Sequence, residues 1–244
     1  MSEFHPRIAV DWPLTLEAIL AKARLLGPKA VLVFDLDSTV FDNRPRQARI
    51  VREFGAARGL EVLKRCQPFH FSSGWDLTAA MTGAGMPAAE ASTHYNELKQ
   101  FWGARFFTSD YCRDDIEILG APRFLQACVK TGAQVIYVTG RHEEMRAGSV
   151  AALEKCGMPT PDGVSVKLMM KPTLRENDDA YKRVAHALLA ELGTLVAAFD
   201  NEPTHINDYA TKFPQAVAVH LATDHSGREV LVDPRAVSVP HFAW

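Results

Sequence analysis

Two hydrophobic rhythms alternate along much of this chain. Ala30-Val31-Leu32-Val33-Phe34 is an unbroken apolar run, the pattern of a strand covered on both faces in a parallel sheet. Gln134–Val138, Val164–Met170, Leu195–Phe199 and Ala216–His220 read as further strands. Between and before them, Pro13–Ala23, Phe124–Lys130, Glu143–Cys156 and Asp178–Leu192 carry apolar residues at helical spacing. Strands alternating with helices predict an α/β fold: a Rossmann-like parallel sheet with right-handed crossovers and helices on both faces. The stretch from Phe41 to Ala121 breaks this rhythm and reads mostly helical. Its best segments are Arg46–Arg58 and Ala88–Trp102, separated by the less regular Gln67–Pro87. It is too long for a simple connection, so residues 41–120 are expected to form a helical cap domain inserted into a core of residues 1–40 and 121–244. Val232–Trp244 is too irregular to assign.

Polar residues gather where the apolar runs stop. After Phe34 come Asp35-Leu36-Asp37-Ser38-Thr39. On a strand continuing through Asp37, the side chains of Asp35 and Asp37 would project to one side and share a small volume. Two carboxylates that close are tolerable when a cation lies between them or one holds a proton. With oxygen donors and no neighbouring Cys or His, a hard ion such as Mg²⁺ is favoured. The run to Val138 ends in Thr139-Gly140-Arg141, expected at the start of a helix, where backbone N–H groups bind anions and Gly permits close approach. The run to Phe199 ends in Asp200-Asn201-Glu202, with Pro203 suited to the first helical position. Lys171 and Lys182 follow the Leu168–Met170 run, and neither is informative alone. Each segment has a competing reading as an ordinary turn or helix cap. Their conjunction on separate strands of one sheet favours chemistry: carboxylates, a hydroxyl, a cation and further acidic groups are what phosphoryl transfer requires.

Composition narrows the class. Hydrophobic residues at 47% and charged residues at 23% give an ordinary globular balance. A formal net charge of −2 leaves no electrostatic footprint for bulk nucleic acid or an anionic membrane. Cys66, Cys112, Cys128 and Cys156 are scattered without a CxxC pair, which argues against zinc and fits reduced thiols in a cytoplasmic protein. Met1–Pro13 lacks the basic-then-apolar pattern of a secretory leader, and no run approaches the roughly 18 apolar residues of a membrane span.

Asp35-Leu36-Asp37-Ser38-Thr39-Val40 resembles the first motif of the haloacid dehalogenase superfamily, Thr139 the second and Asp200 the fourth. For the third, Met170-Lys171-Pro172 followed by Asp178-Asp179-Ala180-Tyr181-Lys182 is similar to superfamily acid phosphatases and to the phosphatase domains of bacteriophage polynucleotide kinases. There the motif lysine lies on the helix, which favours Lys182 over Lys171. The resemblance covers about 29–40 and 121–219, and matches the cap only in position. It implies Asp35 as a nucleophile forming an aspartyl-phosphate, and Asp37 as acid and then base. It implies Ser38, Thr139, the Gly140 N–H and Lys182 as phosphoryl ligands. Mg²⁺ would be held by the Asp35 carboxylate, the Asp37 carbonyl and the Asp200/Asn201 pair. The fourth motif departs from the commonest form, because Asn201 stands where a second acid is usual, with Glu202 or Asp208 as outer carboxylates.

The implied activity is Mg²⁺-dependent hydrolysis of a small phosphomonoester, a phosphorylated metabolite, with the cap contributing specificity. A polynucleotide-end phosphatase, a phosphomutase and a non-catalytic phosphate-binding module are the alternatives. Mild net acidity without a basic stripe argues against the first, and the Asp35/Asp37 pair against the last. For Arg44, Arg46, His70 and Trp75, surface charge and cap packing are the better readings. His94 and His142 show no ligand spacing, and Met169-Met170 is simplest as core.

Overall fold

The computed structural model describes residues 8–244; Met1–Arg7, part of the segment read as lacking a leader, lie outside the described residues. In chain order the strands are β1 (Ala30–Phe34), β2 (Phe41–Asp42), β3 (Ile116–Glu117), β4 (Gln134–His142), β5 (Val166–Lys171), β6 (Thr194–Asp200), β7 (Val217–Leu221) and β8 (Val237–Val239). The helices are α1 (Trp12–Leu26), α2 (Arg44–Arg58), α3 (Leu77–Gly83), α4 (Ala88–Phe106), α5 (Ser109–Cys112), α6 (Ala121–Lys130), α7 (Arg146–Lys155), α8 (Asp178–Leu192) and α9 (Pro203–Lys212). Six strands form one parallel sheet in the order β5-β4-β1-β6-β7-β8. The α/β, Rossmann-like expectation is met.

The chain divides into two compact units. One takes the described residues through Phe41, Glu117–Glu143 and Leu153–Trp244; the other takes Asp42–Ile116 and Glu144–Ala152. The second unit has its own core, in which Val51 and Phe54 of α2 pack with Leu63, Phe71, Met81, Leu98 and Trp102. Arg46 is buried there against Asp115 at 3.1 Å, and the Trp102 indole N–H donates to Gln47 at 3.0 Å.

In the first unit β1 is fully buried, as its unbroken apolar run requires. Its alternate side chains serve two layers. Phe34 stacks on Phe199, ring centroids 4.5 Å apart, beside Phe124 and Phe242. Val31 and Val33 pack with Ala185 and Leu189 of α8 and Ile206 of α9. Asp35 has the parity of Val31 and Val33, so α8 is the helix its side chain meets. Consecutive strands after β1 run outward on one side as β4 and β5, and the chain then crosses to β6 on the other. The sheet therefore reverses its order between β1 and β6, where open α/β sheets form a crevice at the carboxyl ends of their strands.

Three sequence expectations need correction. Strand β1 does not continue through Asp37. It stops at Phe34, and Thr39, Val40 and Phe41 all direct backbone N–H groups to the Leu36 carbonyl in a tight turn. Ser38 takes φ of 56°, the one left-handed non-glycine among the described residues. Nor do Thr139-Gly140-Arg141 open a helix: β4 runs on to His142 through a register shift against β5, and the N–H groups there belong to an irregular strand. Finally, the segment left unassigned at 232–244 holds the parallel edge strand β8 and the buried Phe242. Three residues are too few to show a period.

Candidate active site

Asp35 and Asp200 follow or end the adjacent strands β1 and β6, with Phe34 level with Phe199, and the Asp35 N–H continues the ladder to the Phe199 carbonyl at 2.9 Å. One cation joins them. Lys182 Nζ donates to Asp35 Oδ1 at 3.0 Å and to Asp200 Oδ2 at 2.6 Å, and all three side chains are buried. Lys182 lies on α8 in the stripe of Ala185 and Leu189, at the end of that stripe nearest the strand termini. Burial opposes its charge, and Asp200 and Asp35 overcome it, so the ammonium is held above its usual range. Burial likewise opposes ionisation of Asp200, but the Lys182 charge and hydrogen bond outweigh it and keep the carboxyl below its usual range. Asp35 goes the other way. Burial pushes it up, Lys182 pulls it down, and Asp200 and Asp37 push again, leaving it at about 7.

Asp37 lies at the start of the turn that follows β1 and is gripped by Arg141. The guanidinium Nε donates to one carboxylate oxygen at 2.9 Å and Nη2 to the other at 2.7 Å, a two-pronged geometry that fixes orientation. Arg141 is itself buried, with its guanidinium 5.3 Å from the Phe41 ring centroid. Thr139 is fully buried, and its hydroxyl accepts the Arg141 N–H at 3.2 Å. A Cβ on Gly140 would come 2.9 Å from Asp178 Oδ2, so glycine here admits the Asp178 carboxylate. The Ser38 carbonyl accepts a hydrogen bond from the Thr223 hydroxyl. Asn201 is engaged on both atoms: Oδ1 accepts from Thr39 Oγ1 at 3.0 Å and Nδ2 donates to the Asp224 carbonyl at 2.6 Å.

The two lysines separate clearly. Lys171 binds the Glu176 carbonyl at 2.9 Å and the Asp178 carboxylate, closing the loop between β5 and α8. Arg44 pairs with Asp42, the His70 ring accepts the Gln67 N–H, and His94 lies against Phe54. Trp75 is exposed, His142 and Met170 are buried, and Met169 packs partly buried against the core.

Sequence reasoning missed His205. It is buried on the first turn of α9, with Nδ1 3.1 Å from Lys182 Nζ and 3.4 Å from Asp200 Oδ1, and Nε2 2.9 Å from Asp179 Oδ1. Arg228 holds the same Asp179 carboxylate at 2.9 Å. The available signal was position, five residues after Asp200 at a helix start, and that is too common to single out a histidine. Arg228 had no local signal; it arrives on the loop after β7, where Ser226 also binds the Glu202 carboxylate.

The donors fit a hard divalent cation. Asp35 and Asp200 share the Lys182 ammonium while Asp37 pairs with Arg141, so three carboxylates set against two cations offer hard oxygen donors to such an ion. Among the described residues no three His, Cys, Asp or Glu side chains converge as a ready-made cage. Mg²⁺ is commonly held by one or two carboxylates with waters and substrate phosphate completing the shell.

The sequence matches no protein-family model and no curated protein. Among solved structures it is similar to a protein from Burkholderia xenovorans LB400, provisionally described as a haloacid dehalogenase-like hydrolase. That match has 13% identity and a TM-score of 0.51, over 88% of this chain and 93% of that one. A structure described as a dehalogenase matches at 13% identity and a TM-score of 0.51, over 87% and 93%. A third, from Clostridium difficile and provisionally described as a phosphatase, matches at 12% and 0.50, over 82% and 88%. Identity this low speaks to backbone architecture. The protein has a Rossmann-like α/β fold similar to that of these solved structures.

Proposed function

We propose that the protein is a Mg²⁺-dependent phosphatase that hydrolyses a small phosphomonoester through a phosphorylated Asp35. The observation that carries this reading is the buried Asp35–Lys182–Asp200 bridge at the sheet's reversal point, with the Arg141-held Asp37 two residues beyond Asp35. A non-catalytic phosphate site has no need of a second carboxylate held in fixed orientation beside the first.

In this mechanism an Asp35 oxygen attacks phosphorus as the bond to the leaving oxygen breaks, and Asp37 gives that oxygen its proton. Water then attacks phosphorus, Asp37 takes the water's proton, and the acyl-phosphate bond breaks to release phosphate and restore Asp35. Lys182, the Thr139 hydroxyl, Ser38 and the Gly140 N–H serve the phosphoryl oxygens, where charge redistributes during transfer. For Asp37 to carry the proton, one of its two oxygens leaves the Arg141 guanidinium and takes a proton from solvent, while Arg141 holds the other in place. The Asp35 carboxylate, the Asp37 carbonyl and the Asp200/Asn201 pair would hold Mg²⁺, which when bound would neutralise charge on the transferring group.

No helix among the described residues is long and apolar enough to cross a membrane. The four free cysteines suit a reducing cytoplasm. Two of the structural neighbours carry provisional descriptions as hydrolase and phosphatase, which agrees with the reading. Hydrolysis of an aryl phosphate with Mg²⁺, its loss in chelator and its loss in Asp35→Asn are the expected results. Full activity in either the chelator or the variant refutes the mechanism. A panel of nucleotides, sugar phosphates and phosphate-ended oligonucleotides reads the substrate class, and preference for the last replaces the small-substrate assignment.

A further inference from the structure

Lys182 has three ammonium hydrogens, and the described residues offer it three acceptors: Asp35 Oδ1 at 3.0 Å, Asp200 Oδ2 at 2.6 Å and His205 Nδ1 at 3.1 Å. The first two are carboxylates of the proposed chemistry. The third is a neutral ring whose function the proposed mechanism does not use. An ammonium can only donate, so at 3.1 Å Nδ1 must present its lone pair. The ring proton then sits on Nε2, which meets Asp179 Oδ1 at 2.9 Å. Asp179 and Lys182 stand three residues apart on one face of α8, and His205, reaching from α9, spans the two. Arg228 closes the arrangement from the loop after β7, with Nη1 at 2.9 and 3.2 Å from the two Asp179 oxygens.

Burial and the Lys182 charge lower the His205 pKa while Asp200 and Asp35 raise it, with the balance upward. A doubly protonated ring would nevertheless set an N–H against the Lys182 ammonium. An Nδ1 proton would have Asp200 Oδ1 at 3.4 Å to accept it, but the ammonium stands nearer at 3.1 Å, and that closer contact favours the neutral Nε2–H tautomer.

We propose that His205 is a positioning residue: in its Nε2–H tautomer, selected by the Asp179–Arg228 pair, it holds the third hydrogen of Lys182 and so aims the ammonium between Asp35 and Asp200. The inference rests on the phosphatase reading for its consequence in catalysis, but the tautomer and the hydrogen bond stand apart from it. The arrangement serves direction as well as charge. A lysine ammonium is a point charge on a flexible stem, and two acceptors leave it free to swing about the line between them. A third acceptor removes that freedom before a phosphoryl group arrives.

The test joins spectroscopy to kinetics on the full chain. In ¹⁵N-histidine-labelled protein, the His205 ring signals are expected to show an unprotonated Nδ1 and a protonated Nε2, with Asp179→Asn redistributing the two. A proton on Nδ1 in the wild type overturns the proposal, whatever the enzyme does. In steady-state hydrolysis of an aryl phosphate, His205→Ala is expected to lower kcat roughly tenfold to a hundredfold, the effect of one hydrogen bond to a charged group, with KM within about threefold. His205→Asn, whose amide oxygen takes the place of Nδ1, is expected to recover most of the loss, whereas His205→Gln, which replaces Nε2 instead, is not. Equal recovery by both variants, or an unchanged kcat in His205→Ala, refutes the positioning role. A wild type without any phosphatase activity refutes the functional reading, and the ring signals then decide the tautomer independently.

Discussion

Replacing Asp35 by Asn is expected to stabilise the protein while abolishing its chemistry, and the gain depends on pH. Asp35 is buried beside Asp37 and Asp200, and its carboxyl is pushed from 3.8 up to about 7 against the pull of Lys182. The native pKa is the higher one, so the unfolded chain gives up this proton first, and stability falls as pH rises from about 4 through 7, then levels off. A shift of about three units at 1.36 kcal/mol each amounts to about 4 kcal/mol above pH 7. Asparagine keeps the shape, still accepts from Lys182 and carries no charge. Urea unfolding followed by tryptophan fluorescence, in chelator at pH 4, 6 and 8, compares the two proteins. The variant's advantage should be near zero at pH 4 and approach about 4 kcal/mol at pH 8. Mg²⁺ added at pH 8 should raise the wild-type midpoint and narrow the gap, since the ion favours the charged carboxylate that the variant lacks. A gap that does not change with pH, or a variant less stable than wild type at pH 8, refutes the charge reasoning.

Arg141→Ala frees Asp37 from both of its bonds at 2.9 and 2.7 Å. It is expected to cut kcat by roughly a hundredfold, with Arg141→Lys recovering only part because a point charge cannot grip both oxygens; kcat near wild type in Arg141→Ala would remove Arg141 from the mechanism. The two lysines should diverge: Lys182→Met removes the buried cation between Asp35 and Asp200 and should lower kcat by at least about a thousandfold. Lys171→Met opens the 172–177 loop and should lower the melting temperature while leaving kcat within a few-fold, and the reverse ranking would reassign the catalytic lysine.

The fold was legible because it obeys short-range rules. An unbroken apolar run such as Ala30–Phe34 can rest only in a covered strand, and such a run is readable without knowing what covers it. The alternation of strands and helices then implies a parallel sheet, whose strand ends become neighbours. That is why Asp35, Thr139 and Asp200 could be grouped before any distance was known, while Lys182 was preferred to Lys171 by resemblance alone; α8, with Asn177 capping it through the Ala180 N–H at 3.0 Å, was readable to the residue. Edge strand β8 escaped because three residues carry no period.

The sequence by itself determined the sheet, its order of appearance along the chain and the identity of the carboxylates at its ends, since these follow from hydrophobic periodicity and from where that periodicity stops. Only the tertiary structure decided what each group faces. The turn at Ser38 sends Asp37 to Arg141, Asn201 is taken up by Thr39 and Asp224, and Lys171 is spent on its own loop. His205 and Arg228 join the site from separate segments. Direction and partnership depend on side chains far apart in the chain meeting in space, and local pattern holds no record of those meetings.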